Sequence, residues 1–175
     1  KNKVLLIPVL VDEKNEKVHL YTKNIFYQQW NNFNTNYNLL EYLLPSEDIE
    51  DFNSIREMNM SIEDYDFGSI INKYDLKDHI ISIIFKNNDN IKVLSKIYLN
   101  NSLKVNNRNF EKINLKNEKD FLFLLNELKI IYEDHWKKNN QINTSIKLPL
   151  TLSINSKKYI KIKKLEKYLS GNDLV

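Results

Sequence analysis

Four carboxylates in one short segment have the clearest potential for chemistry: Glu47, Asp48, Glu50 and Asp51. Paired carboxylates can act as a general acid and base or bind a divalent cation. These four, however, lack the alternate spacing and the glycine of a calcium-binding loop. Ser46 precedes them, and acids in the first turn of a helix are favoured by the helix dipole. We therefore interpret the segment as a helix start capped by Ser46, and retain a hydrolase or transferase site near Asp48 and Asp51 as the alternative function.

Histidine, glycine and cysteine supply no recognisable reaction centre. His19, His79 and His135 are scattered along the chain, and no pair of them has metal-ligand spacing. Gly68 and Gly171 are the only glycines, so a phosphate-binding loop of the P-loop or Rossmann type is not encoded. The absence of cysteine removes disulfides, thiolate ligands and cysteine nucleophiles. The sequence thus predicts no catalytic residue, no cofactor, no bound nucleotide and no metal site.

Aromatic side chains offer a candidate binding surface. They are concentrated near the start of the chain: Tyr21, Phe26, Tyr27, Trp30, Phe33 and Tyr37. Core packing is the ordinary role of such rings, but the surrounding asparagines suggest that some rings lie near water. We take Phe26, Trp30 and Tyr37 as candidate binding residues for a peptide or a sugar.

A second candidate surface is the lysine-rich helix predicted at residues 157–167. Such a helix can contact a membrane surface or nucleic acid, although a solvated face is its more common role. The formal net charge of +3 argues against a dedicated nucleic-acid-binding protein, because such proteins usually carry clustered basic surface. Only Arg56 and Arg108 can form a bidentate fork with a phosphate or a carboxylate.

The elements that position these candidates begin with an apolar strand at residues 4–10, which we expect at the centre of a sheet. A polar turn leads to its hairpin partner at residues 18–21, and residues 39–44 predict another strand. Two β-branched runs, residues 79–85 and 91–99, flank an Asn/Asp turn and predict a hairpin. Its first arm is expected to be buried on both faces, and its second arm to lie nearer an edge.

Other segments predict a further hairpin and two helices. Residues 102–115 indicate weaker strands around a turn at Asn106-Asn107. A helix capped by Ser61 is predicted to run to about residue 74. The clearest helix covers residues 117–136, with Asn117 as its cap and apolar residues at three-four spacing.

The length of 175 residues suits one domain with part of a second. We predict an α/β (α+β) domain at residues 1–143, in which helices pack on a mixed sheet. Residues 144–175 predict the start of a truncated βαβ unit, half of a ferredoxin-like fold, with a strand at residues 146–154 and a helix that ends at Gly171.

Several motifs occur in a recognisable order in the first part of the chain. Residues 4–10 contain an internal proline, residues 20–21 read Leu-Tyr, and Asn24, Phe26 and Trp30 form an aromatic patch. Together they resemble the start of a proteobacterial protein family, domain of unknown function 2066, whose members show V-L-x-x-P-V, then L-W, then N-P-W-x-x-x-W.

The resemblance extends to about residue 138. Residues 45–51 are similar to the family's P-x-G-D-x-x-D segment, residues 74–84 to its Y-x-x-x-x-V-L-V strand, and residues 133–137 to the end of its long helix. The chain departs from the pattern at Tyr21 and Phe26, where the family has tryptophan, at Ile25, where it has proline, and at Glu47, where it has glycine.

The resemblance implies a cellular location but no activity. Family members typically carry an export signal, so a periplasmic or cell-envelope location is implied, although no signal peptide or transmembrane run is visible in this chain. No catalytic residue or cofactor is carried over. We predict a non-enzymatic binding or interaction domain of the bacterial cell envelope, whose partner is another protein or a cell-wall component.

Overall fold

The computed structural model describes residues 1–32, 39–56 and 61–140, together with Lys163. Residues Lys1–Asn140 form one compact unit. The second unit predicted at residues 144–175 lies outside the described residues apart from Lys163, and so does the candidate residue Tyr37.

The predicted mixed sheet is confirmed. Within the described residues it has six strands: β1 Asn2–Asp12, β2 Lys17–His19, β3 Leu40–Leu43, β4 His79–Asn87, β5 Asn90–Leu99 and β6 Ser102–Phe110. Their order is β2-β1-β4-β5-β6, and β3 pairs with the start of β1. β1 is parallel to β3 and β4 and antiparallel to β2. The predicted central position of residues 4–10 is confirmed, since all seven are buried.

The proline inside this central strand is accommodated by a gap in the pairing. β3 pairs with residues 2–5 of β1 and β2 with residues 10–12, so neither strand pairs with Pro8. β4 pairs with Pro8 on the other side, but the N–H of Leu5 donates towards β4. Backbone groups alternate in direction along a strand, so those of Pro8 face the gap and its missing N–H costs no ladder hydrogen bond. The carbonyl oxygen of Pro8 instead accepts a hydrogen bond from Asn24 Nδ2, 3.0 Å away.

Within Lys1–Asn140, the described helices that cover the two faces of the sheet are α1 Ile25–Gln29, α2 Ile49–Arg56, α3 Gly68–Ile71 and α4 Glu118–Asn139. The short 3₁₀ turns Tyr21–Lys23 and Ile62–Asp64 add to them. α1 and α4 contribute to a core cluster with Leu6, Ile80 and Ile97, while α2 and α3 contribute to a second cluster with Ile7 and Ile83. The alternation of side chains along β1 and β4 therefore supplies both cores of this α+β fold.

The predicted caps at Asn117 and Ser61 are confirmed, whereas the predicted cap at Ser46 is wrong. Asn117 Oδ1 accepts hydrogen bonds from the N–H groups of Lys119 and Asp120 and caps α4 as expected. At α2, Asp48 Oδ1 accepts from the N–H of Glu50, 2.8 Å away, so Asp48 takes the capping role predicted for Ser46. A carboxylate closer to the first turn satisfies its N–H groups directly.

The predicted helix from Ser61 to about residue 74 is interrupted. Ser61 Oγ accepts a hydrogen bond from the N–H of Glu63, but only a 3₁₀ turn follows, and Tyr65 is extended at ψ 135°. Asp66 Oδ1 then accepts from the N–H of Gly68, 2.9 Å away, and α3 begins there. Local side-chain bonds to the backbone compete with the continuous helix.

The predicted hairpin of β4 and β5 is confirmed, and residues 80–84 of its first arm are buried. β5 lies one strand from the edge, which β6 occupies. The hairpin predicted at Asn106-Asn107 is wrong, because both residues lie inside β6. The turn is instead at Asn100 and Asn101, which have φ of 51° and 61°. Asparagine tolerates this left-handed conformation, which two-residue hairpins require.

Candidate functional site

A cleft separates the end of the β1–β2 hairpin from α2, and we call it the hairpin–α2 cleft. It contains two adjoining cavities of about 380 and 540 Å³, both of which reach Lys23 and Phe52. The smaller is lined by Leu20, Tyr21, Thr22, Lys23, Glu47, Asp48, Ile49 and Phe52. The larger is lined by Glu16, Lys17, Val18, His19, Lys23, Phe52, Ile55 and Arg56. Both volumes are in the range of small-ligand pockets.

The larger cavity combines an apolar floor with a basic rim. Ile55 is buried, while Lys17, Lys23 and Arg56 are exposed. Within the part of the chain that the structure describes, none of these three cations forms a salt bridge. Among the described residues that line this cavity, Glu16 is the one acid. The rim can therefore bind an anion without first breaking an internal ion pair.

The floor of the smaller cavity is held by a cluster of polar side chains around Asp51. Lys73 Nζ lies 2.7 Å from a carboxylate oxygen of Asp51 and 2.7 Å from one of Asp48. The hydroxyl of Tyr21 donates a hydrogen bond to Asp51 Oδ2 across 3.3 Å. Because Asp51 is only 5% exposed, the cation and the hydroxyl compensate a carboxylate that water barely reaches.

The pKa shifts in this cluster favour fixed charges. The hydrogen bond from Lys73 lowers the pKa of Asp48, and the hydrogen bonds to Asp48 and Asp51 raise the pKa of Lys73. Burial, followed by the nearby charge of Asp51, raises the pKa of Tyr21. At neutral pH Asp48 is therefore ionised and Lys73 protonated. A general acid would need a carboxyl pKa shifted in the opposite direction, so Asp48 is not suited to that role.

Tyr21 adopts a conformation that is unusual for an aromatic residue. Its φ is 52°, in the left-handed region that bulky side chains rarely occupy. Its ring packs edge-on against Tyr27 with centroids 5.6 Å apart, and the hydroxyl of Tyr27 donates to the carbonyl oxygen of Pro45 at 2.8 Å. Backbone strain of this kind persists where surrounding contacts over-determine it, and it is frequent at functional sites.

The structure places the predicted aromatic residues Phe26 and Trp30 in the core, where both are 0% exposed. Phe26 packs on Phe121 of α4, with ring centroids 5.2 Å apart, and Trp30 stacks on Tyr132 at 6.0 Å. The prediction of an exposed platform is corrected at these two positions, because α4 covers both rings.

Trp30 also contacts a charged residue within the core. Lys129 Nζ donates to the carbonyl oxygen of Trp30 at 2.8 Å and lies 5.8 Å from the centroid of its ring. Burial lowers the pKa of Lys129, and the charge of Glu133 opposes that shift. Glu133 is 1% exposed and its carboxylate has no hydrogen-bond partner among the described residues. The two residues are one turn apart on α4 and serve as mutual countercharges.

Sequence reasoning missed most of the cleft. Lys17, Lys23 and Lys73 are three lysines among many, and nothing in their spacing brings them together. Arg56 was the one residue of the cleft's basic rim that the sequence singled out, because it is one of only two arginines that can bind a carboxylate or phosphate through two hydrogen bonds. The acids predicted as an alternative site do meet there, but Asp48 lines the smaller cavity while Asp51 is buried beneath it.

No group of three or more His, Cys, Asp or Glu side chains among the described residues could hold a metal ion. None of the described helices is both long and apolar enough to cross a membrane. Searches against protein-family models, curated proteins and solved structures find no match for this chain. The geometry of the cleft is therefore the basis on which a function can be inferred.

Proposed function

We propose that this chain is a non-enzymatic binding domain whose hairpin–α2 cleft binds a short peptide that carries carboxylates. The observation that carries the proposal is the grouping of Lys17, Lys23 and Arg56 around an apolar floor. A guanidinium group can bind a carboxylate through two parallel hydrogen bonds, and two nearby ammonium groups add to its attraction for an anion.

The shape of the cleft favours an extended ligand over a small inorganic anion. Two cavities adjoin at Phe52, and the partly buried ring of Phe52 can pack against an apolar side chain of the ligand. Glu47 lies beside the smaller cavity and can accept a hydrogen bond from a peptide N–H or an amino group. A peptide with a carboxylate near Arg56 and an apolar residue over Phe52 matches these features.

The polar contacts beneath the cleft support a preformed binding site. The ion pairs of Lys73 and the hydrogen bond of Tyr21 fix the floor, and a preorganised site loses less conformational entropy when it binds. A location in the bacterial cell envelope is part of the proposal and is supported only by the resemblance to domain of unknown function 2066. In that setting the peptide would belong to a partner protein or to the cell wall.

The test measures the binding of fluorescein-labelled tetrapeptides that combine Glu or Asp with an apolar residue, by fluorescence polarisation. The double variant Lys23→Gln/Arg56→Gln should weaken binding by about tenfold, the loss expected for a charge-assisted hydrogen bond of about 1.4 kcal/mol. The control Lys77→Gln/Lys119→Gln removes two exposed positive charges outside both the cleft and β6, and it should change affinity by less than about twofold.

Two further comparisons make the result decisive. The affinity for peptides made only of L-residues is compared with the affinity for the same sequences carrying one D-residue. Cell-wall peptides contain D-residues, so tighter binding of the second set would identify the cell wall as the source of the ligand, and tighter binding of the first set a partner protein. Thermal unfolding of each variant confirms that it is folded. Absence of saturable binding by any tetrapeptide, or equal affinity in the cleft variant and its control, would overturn the proposed function.

A further inference from the structure

The edge strand β6 is a second surface, at the opposite end of the sheet from the β2 hairpin that borders the cleft. It is nine residues long, and among the described residues it pairs only with β5. Natural sheets usually make their edges short or cover them, because unpaired backbone groups can recruit another strand. A long edge that the described residues leave unpaired is therefore a candidate site for strand addition.

The register of β6 identifies the backbone groups that are available. The two-residue turn at Asn100 and Asn101 places Leu99 opposite Ser102. In such a hairpin the residues that flank the turn form a hydrogen-bonded pair, and hydrogen-bonded pairs then alternate along the ladder. The N–H and C=O groups of Leu103, Val105, Asn107 and Asn109 consequently point away from β5, towards the open edge.

β6 carries exposed apolar side chains on one face of the sheet and positively charged side chains on the other. Leu103 and Val105 are 65% and 58% exposed on one face. Lys104 and Arg108 occupy the other face, and β6 contains no acidic residue. A strand that adds to this edge would place apolar side chains beside Leu103 and Val105, and its alternate side chains beside the two cations.

We propose that β6 accepts an extended segment of another protein, in which apolar residues alternate with Asp or Glu, as an additional strand of the sheet. Main-chain hydrogen bonds would supply affinity, and the alternation would select the partner. Lysine on an edge strand can also deter pairing. The two roles predict different results. If the cations only deter pairing, acidic and basic peptides should bind equally poorly, whereas if they recognise a partner, an acidic peptide should bind better than a basic one.

Two other occupants fit the charges less well. A second copy paired antiparallel about Asn106 would place Lys104 opposite Arg108 twice, and like charges directly opposite each other are destabilising. Residues 146–154 of this chain contain Lys147, Pro149 and no acid. Neither supplies the negative charges that β6 lacks.

The experiment uses the full chain and two nine-residue peptides, one alternating Val with Glu and one alternating Val with Lys. The Val/Glu peptide should bind in fluorescence polarisation and protect the amides of Leu103, Val105 and Asn107 from hydrogen exchange. Asn107→Pro should abolish both effects without unfolding the protein, because it removes an N–H that β5 does not use. The double variant Lys104→Glu/Arg108→Glu should weaken the binding of the Val/Glu peptide by about tenfold and strengthen the binding of the Val/Lys peptide.

Each contrary result has a definite meaning. Equal binding of the two peptides, or a Val/Glu affinity that survives in a folded Asn107→Pro variant, would overturn the proposal. Protection of the same amides in the free protein at low concentration would show that the chain itself covers the edge. Concentration-dependent dimerisation that protects them would identify a second copy as the occupant. Because the cleft variant leaves β6 intact, failure here does not affect the proposal for the cleft.

Discussion

The hydroxyl of Tyr21 donates a hydrogen bond to the buried carboxylate of Asp51 across 3.3 Å, and the two residues are thirty positions apart in the chain. This contact connects the 3₁₀ turn after β2 to α2, and so joins the two walls of the hairpin–α2 cleft. Together with the packing of its ring, it compensates for the left-handed backbone of Tyr21. The shape of the cleft therefore depends on a tertiary contact.

Replacing Tyr21 by phenylalanine should lower the free energy of unfolding by about 1 kcal/mol, the typical net contribution of one hydrogen bond. The ring contact with Tyr27 is retained, and Lys73 still compensates Asp51. Chemical denaturation measures the change. Tyr98→Phe is the control, because the hydroxyl of Tyr98 has no hydrogen bond within the described residues. Equal stability of Tyr21→Phe and the unchanged protein would contradict the role given to this hydroxyl.

The ion pair of Lys73 predicts a specific dependence of stability on pH. The folded pKa of Asp48 lies below its ordinary value of 3.8, so its stabilising contribution is complete above that value and is lost as the pH falls through the folded pKa. In Lys73→Met this acid-dependent part should shrink, since the hydrogen bond that lowers the pKa of Asp48 is gone.

Thermal unfolding midpoints measured from about pH 6 to about pH 2.5 test this prediction. Lys92→Met is the matched control, because it removes a longer and more exposed ion pair, 3.6 Å from Glu63. Its pH dependence should follow that of the unchanged protein. An identical acid dependence in Lys73→Met would refute the assignment.

Asn24 should be one of the more sensitive positions in the fold. Its fully buried side chain donates to the carbonyl oxygens of Pro8 and His19 and accepts from the N–H of Phe26. Asn24→Ala should cost about 2 kcal/mol, because it removes a helix cap and leaves the Pro8 carbonyl unsatisfied. Asn24→Asp should cost at least as much, since a carboxylate retains the cap but faces two carbonyl oxygens.

The comparison for Asn24 is Asn117→Ala, which removes only the exposed cap of α4 and should cost about 1 kcal/mol. Urea denaturation gives all three values. If Asn24→Asp is as stable as the unchanged protein, the amide group of Asn24 does not donate to Pro8 in the way described.

Tyr132 should show strong coupling to two serines in the core. Its hydroxyl donates to Ser82 Oγ at 2.9 Å and shares a hydrogen bond of 2.9 Å with Ser95 Oγ, and burial raises its pKa to about 12. Tyr132→Phe should destabilise the protein by about 1–3 kcal/mol, because two buried hydroxyls lose their partner. In the triple variant Ser82→Ala/Ser95→Ala/Tyr132→Phe the loss should be smaller than the sum of the separate losses, as a mutant cycle by denaturation will show. Additive losses would mean that the three hydroxyls act independently.

The sequence by itself determined the elements whose signal is local. The central strand, the β4–β5 hairpin and the capped helix α4 follow from side-chain periodicity and from single turn or cap residues. The same local reasoning was wrong where two nearby signals competed, as for Ser46 against Asp48 and for Asn106-Asn107 against Asn100-Asn101.

Only the tertiary structure decided which side chains meet. Phe26 and Trp30 are buried because α4, about ninety residues later in the chain, covers them. Arg56 and Lys23 border one cavity because β2 and α2 both adjoin β1. Periodicity specifies which face of an element is apolar, but it contains no information about the element that the face will contact, and that choice is made by the packing of the whole sheet.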